Sequence, residues 1–225
     1  MTRSNTFNFG WKSTLMWVIL TVIGCAFGLV LWEARFVPRY EYGSLSEIGR
    51  VVLQLSSISG VGAIFQWFII RRITSHAWAW PVLTFAAWVT GCIGFGFGLL
   101  PEILTSTDAV FFSLVAAWAG ALQWLILRGI FSGGAWWISL SGVGGGAGWV
   151  IGQTLADLVS IRMVGSGVFA GFGYVLGFEI ATRFARGLLA GFGYGLGLGI
   201  ATGLALAFFL KTRPDPAIAG LFSAG

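Results

Sequence analysis

The sequence predicts an all-α integral membrane protein of about seven transmembrane helices: one leading helix, then three repeated helical hairpins with glycine-rich close packing. Three observations predict it. The first is composition: 57% of residues are hydrophobic, 9% are charged and the mean hydropathy is +0.88, where a soluble domain carries about 25% charged residues. The second is length, since the apolar runs are close to the roughly 20 residues that cross a bilayer as helix. The third is a repeat. Gln66/Gln123, Trp67/Trp124, Arg71/Arg128, Ser75/Ser132 and Trp80/Trp137 all lie 57 positions apart, and self-similarity at a fixed period defines the unit of a fold. A β-barrel would instead show alternating segments near ten residues long.

Residues 1–12 hold Arg3 and Lys12 and form a cytoplasmic tail. Ser13–Trp32 is the leading span. Val22-Ile23-Gly24-Cys25 resembles a lipoprotein cleavage box, but the apolar run continues to Trp32, so we expect the helix to be retained. A polar loop over 33–49 follows. Val51–Ile70 and Ala77–Leu100 form the first hairpin around the turn Arg71–His76, with Pro81 tolerated in the first turn of its helix. Val110–Leu127 and Ala135–Ile151 form the second around Arg128–Gly134.

The third hairpin is read from a shorter repeat. Gly167–Arg186 and Gly187–Leu206 match 20 apart through Gly171-Phe172-Gly173-Tyr174 and Gly191-Phe192-Gly193-Tyr194. Twenty helical residues make one crossing of about 30 Å, and Arg183 and Arg186 fall between the copies, so a turn is expected there. The single transmembrane domain thus covers 13–210, with repeat units at about 51–100, 110–155 and 164–210, and 211–225 form a flexible tail. The unneutralised arginines of the turns place the N-terminus in the cytoplasm. Seven spans then leave the C-terminus outside, and dropping the seventh would leave six.

The Gln-Trp-x-x-x-Arg turns, the tryptophans that restart each run and the glycine-rich final segment together resemble uncharacterised multi-pass bacterial membrane proteins built from such hairpins, over roughly residues 55–210. The resemblance implies a helical bundle in the bacterial inner membrane. It carries no activity.

Candidate functional residues fall into two sets. Gly144, Gly148 and Gly152, and then Gly187, Gly191, Gly195, Gly199 and Gly203, recur every fourth position. Small residues at this spacing form a glycine zipper, letting backbones approach where lipid supplies no hydrophobic drive for association. The second set is polar. Gln66, Gln123 and Glu179 each precede a turn arginine by four or five residues, which would set them in one layer, with Arg183 as the i+4 partner of Glu179.

No cofactor or metal is expected. His76 is the only histidine, Cys25 and Cys92 have no ligand spacing, and Gly142–Ala147 matches a dinucleotide fingerprint only outside its strand–helix context. The net charge of +5 is scattered at span ends, so nucleic acid is not an expected partner. The expected partners are the lipid bilayer and either a second copy or another membrane protein. The sequence therefore suggests a non-enzymatic structural or assembly component. The alternative is a small channel or transporter using the polar layer, though the mid-bilayer ionisable residues common in transporters are few.

Overall fold

The computed structural model describes residues 11–33, 59–95, 108–128, 134–165 and 175–211, and the side chains of most of them. Among these residues there are six α-helices and no strand: α1 (Trp11–Glu33), α2 (Ser59–Ile70), α3 (Ala79–Ile93), α4 (Asp108–Leu127), α5 (Gly134–Gly165) and α6 (Val175–Lys211). Three contain stretches long and apolar enough to cross a membrane: Trp11–Val30, Ala109–Leu127 and Arg183–Phe209. The expected spans 51–70 and 77–100 extend beyond α2 and α3 into residues outside the described set.

Consecutive helices are antiparallel, and α6 closes the series by running antiparallel to α1. Residue pairs in contact give the order. Gln66 of α2 meets both Thr21 of α1 and Trp80 of α3. Gln123 of α4 meets Thr84 of α3. A Cβ on Gly120 of α4 would approach Ser141 of α5. The α5–α6 seam pairs Gly144 with Gly197 and Gly148 with Gly193, and the α6–α1 seam pairs Gly191 with Ala26 and Gly203 with Thr14. The six helices thus form a closed ring around a common axis.

Glycine sets the closeness of the ring. All eight singled-out glycines are buried. A Cβ on Gly195 would lie 2.6 Å from Val22 Cα and one on Gly148 2.7 Å from the Gly193 carbonyl oxygen, distances no real side chain occupies. Gly193 and Gly197 add a second row. Gly191, Gly195, Gly199 and Gly203 face α1, whereas Gly193 and Gly197 face α5. Alternate glycines along α6 therefore serve two neighbours, because residues two apart point about 160° from each other around a helix.

Two expectations are corrected. The turn at 183–186 does not exist: α6 is one helix of 37 residues that passes through Arg183 and Arg186. Arginine is a good helix former, so a basic pair marks where a chain leaves hydrocarbon without ending the helix. Likewise α5 does not stop near Ile151 but runs to Gly165, through Asp157 and Arg162. There the two extended helices face each other, with Arg186 donating to Asp157 across 3.3 Å in an exposed ion pair. The two 20-residue copies are thus not two antiparallel helices, and α6 ends at the end of the ring where α1 begins.

That topology sorts the charges. Among the described residues, Lys12, Arg71, Arg72, Arg128 and Lys211 lie at one end with no acid. Glu33, Asp108, Asp157, Arg162, Glu179, Arg183 and Arg186 lie at the other.

Candidate functional site

The interior of the ring is built in layers, one helical turn apart. Nearest the basic end, Trp17, Trp80 and Trp137 come from α1, α3 and α5 and meet edge to face. Their ring centroids are 5.8, 6.1 and 6.5 Å apart with interplanar angles of 69–75°. All three are fully buried, so the trio closes the axis. Edge-to-face packing sets the positive edge of one ring against the negative face of the next and is worth roughly 0.5–1.5 kcal/mol per pair beyond area burial.

One turn further in, each of these helices carries a hydroxyl: Thr21, Thr84 and Ser141. Each donates to the carbonyl oxygen of the tryptophan four residues before it, at 2.8 Å in all three cases. A buried hydroxyl of this kind satisfies its proton within its own helix. Its lone pairs then remain for a neighbour. Gln66 Nε2 donates to Thr21 Oγ1 at 2.9 Å, and Gln123 Nε2 donates to Thr84 Oγ1 at 2.9 Å.

The indoles complete the belt. Trp80 Nε1 donates to Gln66 Oε1 at 3.1 Å, and Trp17 Nε1 donates to Thr202 Oγ1 of α6 at 2.9 Å. Thr202 in turn donates to the Leu198 carbonyl oxygen at 2.6 Å. Hydrogen bonds between side chains thus tie α6 to α1, α1 to α2, α2 to α3 and α3 to α4. Gln66 is the busiest member, bridging both neighbours of its helix.

A second aromatic layer lies toward the other end. Trp88, Phe112 and Tyr194 form a triangle with centroids 5.6–6.1 Å apart, and Trp149 stacks on Phe112 at 3.7 Å. Cys25 and Cys92 are buried in the same cluster. Between the two layers is a cavity of about 30 Å³, lined among others by Thr21, Gln66, Thr84, Gln123, Ser141 and Tyr194. That is room for a water molecule. Among the described residues no group of three or more His, Cys, Asp or Glu side chains is arranged to hold a metal ion.

The structure brings Gln66 and Gln123 together in one belt but not Glu179. In the register that sets Gly191 opposite Ala26 and Gly203 opposite Thr14, Glu179 falls at the opposite end of the ring. It lies 23 residues before Thr202 on the same helix, about 35 Å away at 1.5 Å per residue. The member that α6 contributes to the belt is Thr202. The Glu179 side chain lies outside the described residues, and Arg183 shares its end of the helix. Trp80 and Trp137 lie on the axis, whereas Trp11, Trp78 and Trp136 are exposed.

Thr21, Thr84, Ser141 and Thr202 were not singled out from sequence. A signal was present for the first three. Trp-x-x-x-Thr/Ser occurs as Trp17–Thr21, Trp80–Thr84 and Trp137–Ser141, and Thr84 and Ser141 are again 57 apart. Comparison with known proteins yields no match to any family model, curated protein or solved structure.

Proposed function

We propose that this chain is a non-enzymatic, multi-pass protein of a bacterial inner membrane that acts as a structural or assembly component, packing with itself or with a larger membrane complex. The observation that carries this reading is the belt around Gln66 and Gln123. Polar groups in a conduction path must exchange partners with a passing solute. Here the Gln66 amide is engaged on both sides, by Thr21 and by Trp80, and the axis is closed by fully buried tryptophans. In this reading the polar groups join helices, as interhelical hydrogen bonds do where lipid gives no hydrophobic drive.

The finer features follow from the same reading. Six crossings put both ends of the helical domain on one side of the membrane. The basic, acid-free end is cytoplasmic by the positive-inside rule, which places the N-terminus inside. The recurring Trp-x-x-x-Thr/Ser and Gln-Trp-x-x-x-Arg elements make the ring a set of related hairpins. The bacterial membrane is inferred from the resemblance of its turns.

The cavity favours a second reading, a small channel or transporter held shut between its aromatic layers. Proteoliposome flux separates the two. The structural reading expects no solute or ion flux above that of empty liposomes, in wild type and in Gln123→Leu alike. A reproducible wild-type flux that Gln123→Leu abolishes, with the fold intact, would overturn it in favour of the channel.

A further inference from the structure

At the basic end, α3 and α4 leave an open groove of about 590 Å³ between them, lined by His76, Leu83, Leu125, Ile126 and Arg128. We propose that this groove is a binding site for an anionic phospholipid, with the phosphate held at its rim by Arg128 and His76 and an acyl chain lying on Leu83, Leu125 and Ile126.

The argument starts from what the groove offers. It is a shallow, open groove on the helix surface, and its two halves differ in chemistry. The rim carries a guanidinium and an imidazole, and the floor is aliphatic. Arg128 stands three residues beyond Leu125, about 4.5 Å further along the axis of α4. Cation and hydrocarbon are therefore stacked along the helix, in the order headgroup and chain take in a leaflet. An inorganic anion would use only the rim, and an uncharged lipid would leave the cation unmatched.

Charge complementarity commits the site to an anion. No acidic residue lies at this end among the described residues. Arg128 is exposed and makes no ion pair there, whereas the equivalent Arg71 lies over the Trp67 and Phe68 rings at 5.2 and 5.1 Å. Among the described residues, the Arg128 guanidinium is thus a cation of this groove with no ion-pair or ring partner. Basic pockets between transmembrane helices on the cytoplasmic side suit anionic headgroups, and a guanidinium presents paired donors to a phosphate.

The test uses the full chain, purified and delipidated in a neutral detergent, with native mass spectrometry and thermal stability as readouts. Phosphatidylglycerol should bind more tightly than phosphatidylcholine and raise the melting temperature. Arg128→Gln should cut phosphatidylglycerol affinity about fivefold, what one basic residue near an anionic surface is worth, and affect the zwitterionic phosphatidylcholine less, so that the preference between the two lipids narrows. Leu125→Gln should weaken phosphatidylglycerol without weakening inorganic phosphate. Arg128→Lys, which keeps the charge, should retain most of the selectivity and shows that loss in Arg128→Gln is not misfolding. Equal binding of the two lipids, selectivity unchanged in Arg128→Gln, or stabilisation by inorganic phosphate that matches phosphatidylglycerol would each overturn the proposal.

Discussion

Replacing Gln66 by Leu keeps the approximate size of the side chain and removes both of its hydrogen bonds, to Thr21 at 2.9 Å and from Trp80 at 3.1 Å. Interhelical hydrogen bonds in a membrane protein average about 0.6 kcal/mol, so the two together set a lower limit near 1.2 kcal/mol. The further term is the Trp80 indole. It is fully buried, and a buried donor left without an acceptor costs about 1–3 kcal/mol. Gln66→Leu should therefore lose about 1–4 kcal/mol. Gln123→Leu supplies the internal comparison. It removes the bond from Nε2 to Thr84, but Thr84 still donates to the Trp80 carbonyl oxygen. No donor on Thr84 is orphaned, and the loss should stay near 0.6 kcal/mol. Reversible unfolding in mixed micelles of mild detergent and SDS measures both. A Gln123→Leu protein destabilised as much as Gln66→Leu would refute the reasoning, since it would mean that the indole acceptor contributes nothing.

The glycine contacts predict a graded series. Gly193→Ala brings a methyl onto the Gly152 backbone and should cost about 1–3 kcal/mol, as overpacking does. Gly94→Ala, with nothing within 4 Å of the added Cβ, should be neutral in the same unfolding assay. Cys25 and Cys92 are buried and should resist maleimide in the folded protein and react fully in SDS, because buried structural thiols are inert; rapid labelling of either in mild detergent would place it outside the core. With those cysteines replaced, an impermeant maleimide should label Ser75→Cys from the cytoplasmic face and Asp157→Cys from the opposite face. Labelling of both from one face would contradict an antiparallel ring with a basic cytoplasmic end.

How much of this was legible in the sequence depends on which period carried it. The 57-residue spacing is long enough to contain a whole hairpin, so it located Gln66, Gln123 and the Arg71 turn. The 20-residue spacing misled, because a repeat of one helix length says nothing about whether the chain turns between copies. Arg183 and Arg186 suggested a turn, yet a charged pair is compatible with helix and here continues α6 beyond the apolar stretch. That error moved Glu179 into a layer it does not share. Thr202 had no sequence signal of its own. It joins the belt only because the antiparallel register of α6 against α1, set by the Gly191–Gly203 row, brings it to the level of Trp17. The Gly193 and Gly197 row was visible as alternation, but only the packing shows that alternate glycines serve different neighbours.

The ring closes only if α6 lies antiparallel to α1, and cysteine cross-linking tests this directly. In a chain lacking Cys25 and Cys92, Thr14→Cys and Gly203→Cys are the pair to join, since a Cβ on Gly203 would lie 3.4 Å from the Cγ2 methyl of Thr14, in side-chain contact across the α6–α1 seam. Mild oxidation followed by mass spectrometry of the linked peptides should find the Thr14→Cys/Gly203→Cys disulfide within one chain. If that pair stays reduced while Leu29→Cys/Gly203→Cys cross-links, α6 runs parallel to α1, and the closed antiparallel ring is wrong.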